Sequence, residues 1–315
     1  MTSYALAIDV GGTKVQAALV DEHGTVLEGS VHRAPTGSGA SSGELLASVA
    51  QVIWNTLSAL PDGAELIGAG IGSAGPIDYH RGTISPLNLP AWQDFPLREQ
   101  VAELVPRLIG VEVPVQLALD GLAIAMAEQW IGSATQARNI LGMVVSTGIG
   151  GGLILDGRPI LGRNGNAGHI GHVEVAGIGG SDSHGSTTTL ESIASGPNSA
   201  VWARSQSWIG EGGEDLAKSL REGDPIAIAA VQRSGQAIGQ AIAATCALLD
   251  LEIVAIGGGF AGVGPELLER IRTVVAGHHF PYVRDVTIVE SSAGEHAPLV
   301  GAAALVYRSD LLPTD

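Results

Sequence analysis

Three times along the chain a short apolar block runs into a cluster of glycines. Ile8-Asp9-Val10 leads into Gly11-Gly12-Thr13-Lys14, residues 140–146 into Thr147-Gly148-Ile149-Gly150-Gly151-Gly152, and residues 252–256 into Gly257-Gly258-Gly259. Blocks this short read as buried strands, and glycine at a strand end permits tight reversals and close approach of backbone to a ligand. The first two clusters repeat a strand, glycine turn, strand pattern. That repetition suggests two related units holding one ligand between them, not a many-repeat solenoid.

The rest of the chain fits this frame. Residues 4–10 and 14–20 read as strands, and Asp21-Glu22-His23-Gly24 reverses the chain again into residues 25–32, giving an antiparallel meander. A Gly-, Ser- and Pro-rich loop over 35–43 leads into an amphipathic helix over 44–60. Residues 66–72 form a strand stopped by Ser73-Ala74-Gly75-Pro76, and the polar loop that follows, through Asn88 and Trp92, is long enough to hold a ligand. Residues 113–119 form a strand ending at Asp120, with a helix over 121–131. After the second glycine cluster, residues 153–155 form a strand and Asp156-Gly157 a reversal. A long helix is expected over 225–249, a strand over 252–256, a helix over 265–276, a strand over 287–289 and a terminal helix over 299–307. The class is α/β, with a smaller amino-terminal part over 1–119, a larger part over 120–315, and the terminal helix near 297–308 packing back on the first.

Composition narrows the function classes. Among 315 residues, 16 basic against 32 acidic side chains give a formal charge of −16, which opposes attraction to phosphate backbones and anionic lipid. Neither nucleic acid nor membrane is an expected partner. Cys246 is the only cysteine, so neither an internal disulfide nor a cysteine-built zinc site can form. With no apolar run of membrane-spanning length and no signal-like head, a cytoplasmic protein is expected.

The polar residues at the turns carry the chemistry. Around the first reversal, the amides of Gly11 and Gly12 and the Thr13 hydroxyl can face phosphate oxygens, Lys14 can neutralise charge, and Asp9 can position hydrated magnesium. An ordinary tight turn is the alternative. The spacing is neither that of a Walker P-loop nor that of a dinucleotide fingerprint. Thr147, Gly148 and the glycines after them form a second candidate phosphate cradle. Gly258 and Gly259, in the third cluster, can admit a base or ribose without side-chain clash. Asp120, at a strand-to-helix boundary, is the best candidate to accept a proton from a substrate hydroxyl, with a helix cap as its structural alternative. Asp78 ranks below it. Asn88, His172 and Glu191 supply the mixed donors and acceptors expected around a polyhydroxylated ligand.

Taken in this order, the motifs resemble the ROK family of sugar kinases, within the actin-like group, over nearly the whole chain. Residues 8–14 match the family's first phosphate element, residues 146–152 its second, and Gly257-Gly258-Gly259 its adenosine-side turn. The resemblance implies a two-lobed actin-like ATPase fold with related ribonuclease-H-like domains. It also implies ATP with Mg2+ as cofactors, a homodimer, and phosphorylation of a hexose or hexose derivative at O6 with Asp120 as base. Gly75, Asn88, His169, His172 and Glu191 fall in its sugar-pocket segments. Two departures bear on the acceptor: the family's Asn-Asp is Leu119-Asp120 here, and its Glu-x-Gly-His is His169-Ile170-Gly171-His172.

Zinc-containing relatives use three cysteines whose slots are Asp182, His184 and Thr189 in this chain, so their site is absent. His172, Asp182 and His184 lack a convincing fourth metal ligand, and a hydrogen-bonded loop is preferred. Two readings stand beside the kinase: a catalytically weak sugar-binding or regulatory protein, and a nucleotide hydrolase on the same broad fold. Family repressors carry an added DNA-binding segment before a first strand that here begins at residue 4, so direct DNA regulation is not expected.

Overall fold

The computed structural model describes residues 2–179 and 188–312. The chain divides into two compact units, one formed by Met1–Gln136, Gly152–Gly168 and Ser292–Asp315, the other by Ala137–Gly151 and His169–Ser291. This differs from a single cut after Leu119: the first unit runs on through the helix at 120–130, and the chain returns to it twice.

In the first unit, β1 (Ser3–Val10), β2 (Lys14–Asp21), β3 (His32–Pro35), β4 (Glu65–Ser73) and β7 (Val115–Leu119) form one sheet in the order β3-β2-β1-β4-β7. β1 pairs antiparallel with β2 and parallel with β4, which pairs parallel with β7. Strand β1 is buried from Tyr4 to Val10, as expected of a central strand with both faces covered. Helix α1 (Ser42–Leu57) starts at a capping box in which the Ser41 hydroxyl accepts from Glu44 N–H while the Glu44 carboxylate accepts from Ser41 N–H. A small hairpin of β5 (Ile77–Asp78) and β6 (Thr83–Ile84) and helix α2 (Leu97–Ile109) precede β7, and α3 (Asp120–Trp130) follows it.

The third strand starts later than the sequence suggests. Residues 25–31 mostly turn instead of pairing: Gly29 has φ +77°, and the fully buried Ser30 hydroxyl accepts from Leu19 N–H and donates to the Leu27 carbonyl. A side chain that satisfies two backbone groups removes the need for a ladder there. Helix α2 escaped the sequence reading because Pro106 reads as a breaker, yet it sits in the last turn, just before the Gly110 cap.

Chain order continues with β8 (Ile140–Val145), β9 (Ile149–Leu155) and β10 (Arg158–Ile160), then α4 (Leu190–Ala194), α5 (Gly196–Ser205), α6 (Gly213–Arg221) and α7 (Pro225–Leu249). Next come β11 (Ile253–Gly257), α8 (Pro265–Ala276), α9 (Pro281–Arg284), β12 (Thr287–Glu290) and α10 (Ala297–Tyr307). The second sheet has the order β10-β9-β8-β11-β12. It repeats the first sheet's plan, a three-strand meander extended by two parallel strands. Glycines 150–152 belong to strand β9, not to the turn before it, and a Cβ on Gly152 would meet the backbone of Leu122 in α3. That glycine serves helix packing, not a ligand.

Helix α10, in the first unit, completes the core there. Leu299, Ala302 and Ala303 pack against Ala5, Ala7, Ala18 and Val20, all of them buried completely. The approach is so close that a Cβ on Gly70 of β4 would fall on the Ala302 carbonyl. Among the described residues, no helix is long and apolar enough to cross a membrane.

Candidate functional site

Parallel strands gather ligand-facing residues at their carboxyl ends, and the first unit does this with β1, β4 and β7. The register aligns Asp9 with Gly72 and Gly72 with Ala118. Asp9, the segment Ser73-Ala74-Gly75 and Asp120 therefore lie along one edge of the sheet. With strands about 4.8 Å apart, the strand ends carrying the two acids are separated by roughly 10 Å.

Asp9 is buried, and its Oδ2 accepts from Gln16 Nε2 at 3.0 Å. Burial pushes its pKa up to about 6, a shift the Gln16 hydrogen bond and the Lys14 charge moderate. The turn after it is closed by Gly11 N–H donating to the Lys14 carbonyl at 2.9 Å, with Thr13 and Lys14 exposed. Thr36 pins this turn from outside: its hydroxyl donates to the Gly11 carbonyl and its N–H to the Thr13 carbonyl, both at 2.9 Å. Nothing in the local sequence marks Thr36. Asn88 belongs to the same cluster, since a Cβ on Gly12 would come within 2.7 Å of Asn88 Cβ. Gly75 precedes Pro76 through a cis peptide, and its carbonyl accepts from Leu87 N–H at 3.4 Å.

Asp120 is the first residue of α3, with Leu119 in the capping position. Its Oδ1 accepts from Gly121 N–H at 2.7 Å, so the side chain is held at the helix start. Asp78 does turn work, accepting from Arg81 N–H at 3.1 Å.

The second unit gathers the other candidates at the β8–β9 reversal. Ser146 N–H donates to the Gly148 carbonyl at 2.9 Å, leaving Thr147 exposed at the tip. Glu191, on the first turn of α4, places Oε2 2.7 Å from Ile149 N, which donates to it. The 3-10 turn Ile170–His172 lies against the start of β9, where a Cβ on Gly171 would fall on the Ile149 carbonyl. His169 precedes that turn and His172 ends it, with ring centroids 5.5 Å apart. Burial first, then the neighbouring His172, lowers the His169 pKa, which favours the neutral ring. Asp182 and His184 lie outside the described residues, and among those described no group of three or more His, Cys, Asp or Glu could hold a metal ion.

A cavity of about 300 Å3 joins the second and third glycine clusters: Thr147, Gly196, Pro197, Gly213, Gly259 and Phe260 line it. Gly258 has φ +104°, and a Cβ there would come within 2.6 Å of the Val145 carbonyl; few other residues fit such a conformation. Gly259 opens onto the cavity, with only Ser146 Oγ at 3.6 Å from a Cβ. Gly196, Gly213 and Phe260 were not among the expected residues, although Gly196-Pro197 is a turn signal in the sequence.

The chain has relatives along nearly its whole length. A sequence model of the ROK family matches residues 5–309. The N-acetylmannosamine kinase of Yersinia pseudotuberculosis is 33% identical over 301 residues, covering 95% of this chain and 96% of its own. The glucokinase of Thermotoga maritima is 29% identical over 318 residues, covering 96% of each. The structure of a ROK family glucokinase from Streptomyces griseus, in complex with glucose and AMPPNP, superposes with a TM-score of 0.80 at 26% identity, covering 97% of this chain and 99% of its own. With a family match that runs from the first strand to the terminal helix, the chain belongs to the ROK family.

Proposed function

We infer that this ATP-dependent sugar kinase transfers a phosphoryl group from magnesium-ATP to O6 of a hexose or hexose derivative, with Asp120 as general base. The observation that carries the reading is the placement of Asp9 and Asp120 at the carboxyl ends of β1 and β7, on either side of Gly72-Ser73 in β4. One acid suits a cation and the other a substrate hydroxyl. The matching order of the two five-stranded sheets supports the further reading of an actin-like fold built from two ribonuclease-H-like halves.

The residues fit the cofactor. The Gly259 face of the 300 Å3 cavity is open, and a bulky side chain there would take up its space, which an adenosine-sized ligand needs. Thr147 and Gly148 would offer donors to phosphate oxygens, as would Gly12, Thr13 and Lys14; the Gly11 amide expected to join them is instead taken by the Lys14 carbonyl, which closes the turn. Asp9 supplies the hard carboxylate oxygen that magnesium prefers. Bound magnesium-ATP supplies the activated phosphoryl group. Asp120 then takes the proton of the attacking hydroxyl, and Gly75, Asn88, His169 and His172 orient the acceptor ring. Leu119 stands where the family has a polar residue beside the base, and half-buried His169 stands where the family has a carboxylate, so the acceptor is set by hydroxyl pattern and substituent size.

The relatives are named for two acceptors, glucose and N-acetylmannosamine, and the test panel includes both alongside mannose and amino sugars. ADP formation and phosphosugar are followed together, and the phosphorylated position is read by NMR. A 6-phosphate from the wild type, lost in Asp120→Asn with nucleotide binding retained, is the expected result. Near-normal turnover by Asp120→Asn, or ADP without phosphosugar across the panel, rejects the reading.

A further inference from the structure

We propose that Glu191 is a positioning residue for the nucleotide, holding the Thr147-Gly148-Ile149 turn in its phosphate-binding form whether or not a sugar is present. This rests on the kinase reading above but gives Glu191 a task that reading does not need. The carboxylate would otherwise be counted among the groups that touch the acceptor.

The observation is a single contact with a built surround. Glu191 Oε2 accepts from Ile149 N–H at 2.7 Å, short enough for a charge-assisted bond. Gly148 makes room for it: a Cβ there would stand 2.6 Å from the same oxygen. No left-handed φ is required at Gly148, so close approach of the carboxylate is the reason the structure gives for glycine at this position.

The helix that carries the carboxylate is held from behind. Thr189 caps α4 by accepting from Ser192 N–H, the Glu191 carbonyl accepts from Asn198 Nδ2 at 2.9 Å, and the Ile193 carbonyl accepts from Arg233 at 2.7 Å. Arg233 also donates to the Gly179 carbonyl and lies over the Trp202 ring. A five-residue helix would be marginal alone; here it is capped by Thr189 and tied by Asn198 and Arg233 from the same unit.

What the carboxylate holds matters for binding. Ile149 N–H is the first backbone donor after Gly148, and Thr147 on the same turn lines the 300 Å3 cavity with Gly259. A negative charge beside a phosphate cradle repels phosphate unless it is neutralised or turned to structural use. Here Oε2 faces a backbone N–H, so it orders the turn at the cost of one donor. Among the described residues the other oxygen, Oε1, has no hydrogen-bond partner, and it stays available to an acceptor hydroxyl. One carboxylate thereby serves both ligands.

The test is binding of AMPPNP with magnesium in the absence of any sugar, by calorimetry, for the wild type, Glu191→Ala, Glu191→Gln and Gly148→Ala. Glu191→Ala is expected to weaken AMPPNP about tenfold, the size associated with losing one hydrogen bond to a charged group. Glu191→Gln, which keeps an acceptor for Ile149 N–H, is expected to stay within about threefold of wild type. Gly148→Ala should resemble Glu191→Ala, because the added methyl displaces Oε2. The double variant should be no weaker than Glu191→Ala alone, since the methyl then has nothing to displace.

Unchanged AMPPNP affinity in Glu191→Ala, with only acceptor KM raised, overturns the proposal and leaves the kinase reading intact. A wild type that binds no AMPPNP and yields no phosphosugar removes the kinase reading and this proposal with it. If Glu191→Ala does not fold, Gly148→Ala decides alone: wild-type affinity there overturns the proposal.

Discussion

Asp9 and Gln16 face each other directly across the β1–β2 pair, and the buried Asp9 carboxylate accepts from Gln16 Nε2 at 3.0 Å. The strand register therefore supplies the acid with a side-chain donor, while burial works against its charge. The result is a carboxyl with a pKa of about 6, close enough to neutrality to govern how the protein responds to pH.

The first prediction concerns activity. As the proposed magnesium ligand, Asp9 would act only as the carboxylate, so kcat/KM for magnesium-ATP should fall tenfold per unit as pH drops below about 6. Gln16→Leu removes the hydrogen bond that lowers the pKa, and its acid limb should move to higher pH. A pH profile of the two proteins at fixed free magnesium checks both statements. An identical limb in the variant would remove Gln16 from the account.

The same pKa has a stability consequence of opposite benefit. The folded value lies above the ordinary aspartate value of 3.8, so the folded protein binds the proton more tightly than the unfolded chain. The stability this contributes is complete below pH 3.8 and is lost as pH rises through about 6. Asp9→Asn keeps a neutral side chain throughout. Without ligands it should be more stable than wild type by up to about 3 kcal/mol at pH 8 and by roughly half that at pH 5, while losing activity. Urea unfolding at the two pH values measures the difference, and a gap that does not shrink towards pH 5 contradicts the assignment.

Glu128 is expected to be the most costly carboxylate to remove outside the candidate site. It is buried completely in α3, and its oxygens accept from Ser133 N–H at 2.9 Å, Ser133 Oγ at 2.7 Å and Ala293 N–H at 3.0 Å. Glu128→Ala leaves several buried donors unpaired and should cost about 3 kcal/mol or more, whereas Glu128→Gln should cost about half as much. Thermal unfolding of the two variants tests the order. Equal midpoints would mean that the charge, not the acceptor pattern, is what the fold requires.

Glu128 also shows where sequence reading stops. A glutamate on a helix is usually solvated, and its partner at Ala293 is 165 positions away, so no local pattern marks it. Local signals succeeded where they were complete in themselves. The bounds of α7 follow from the Asp224 cap and Pro225 at its first turn, and Asp120 stands at the strand-to-helix step its neighbours announce. Local signals failed where a glycine or serine answers to a distant element. Glycines 150–152 look like a turn but form strand β9, with Gly152 placed for α3, and Ser30 breaks a strand by bonding across to Leu19. The placement of Glu191 against Ile149 belongs to the same class, because α4 is short and its position depends on Arg233 and Asn198.

The adjacent glycines 258 and 259 should respond oppositely to the same substitution. At Gly258, φ is +104° and an added Cβ would lie 2.6 Å from the Val145 carbonyl, a backbone atom that cannot swing away. Gly258→Ala should therefore destabilise the protein by about 2 kcal/mol or more through strain and displacement of β8. At Gly259 the backbone needs no left-handed conformation, and a Cβ meets only Ser146 Oγ at an ordinary 3.6 Å. Gly259→Ala should keep the unfolding midpoint within about a degree of wild type, in line with surface changes that break no packing. Gly259 lines the 300 Å3 cavity, so a larger side chain there takes ligand space, and Gly259→Val should raise the KM for ATP more than Gly259→Ala while leaving the KM for the sugar unchanged. Thermal melts and initial rates on the three variants separate the two glycines. A Gly259 series that alters sugar KM instead of ATP KM would move the nucleotide base away from this cavity.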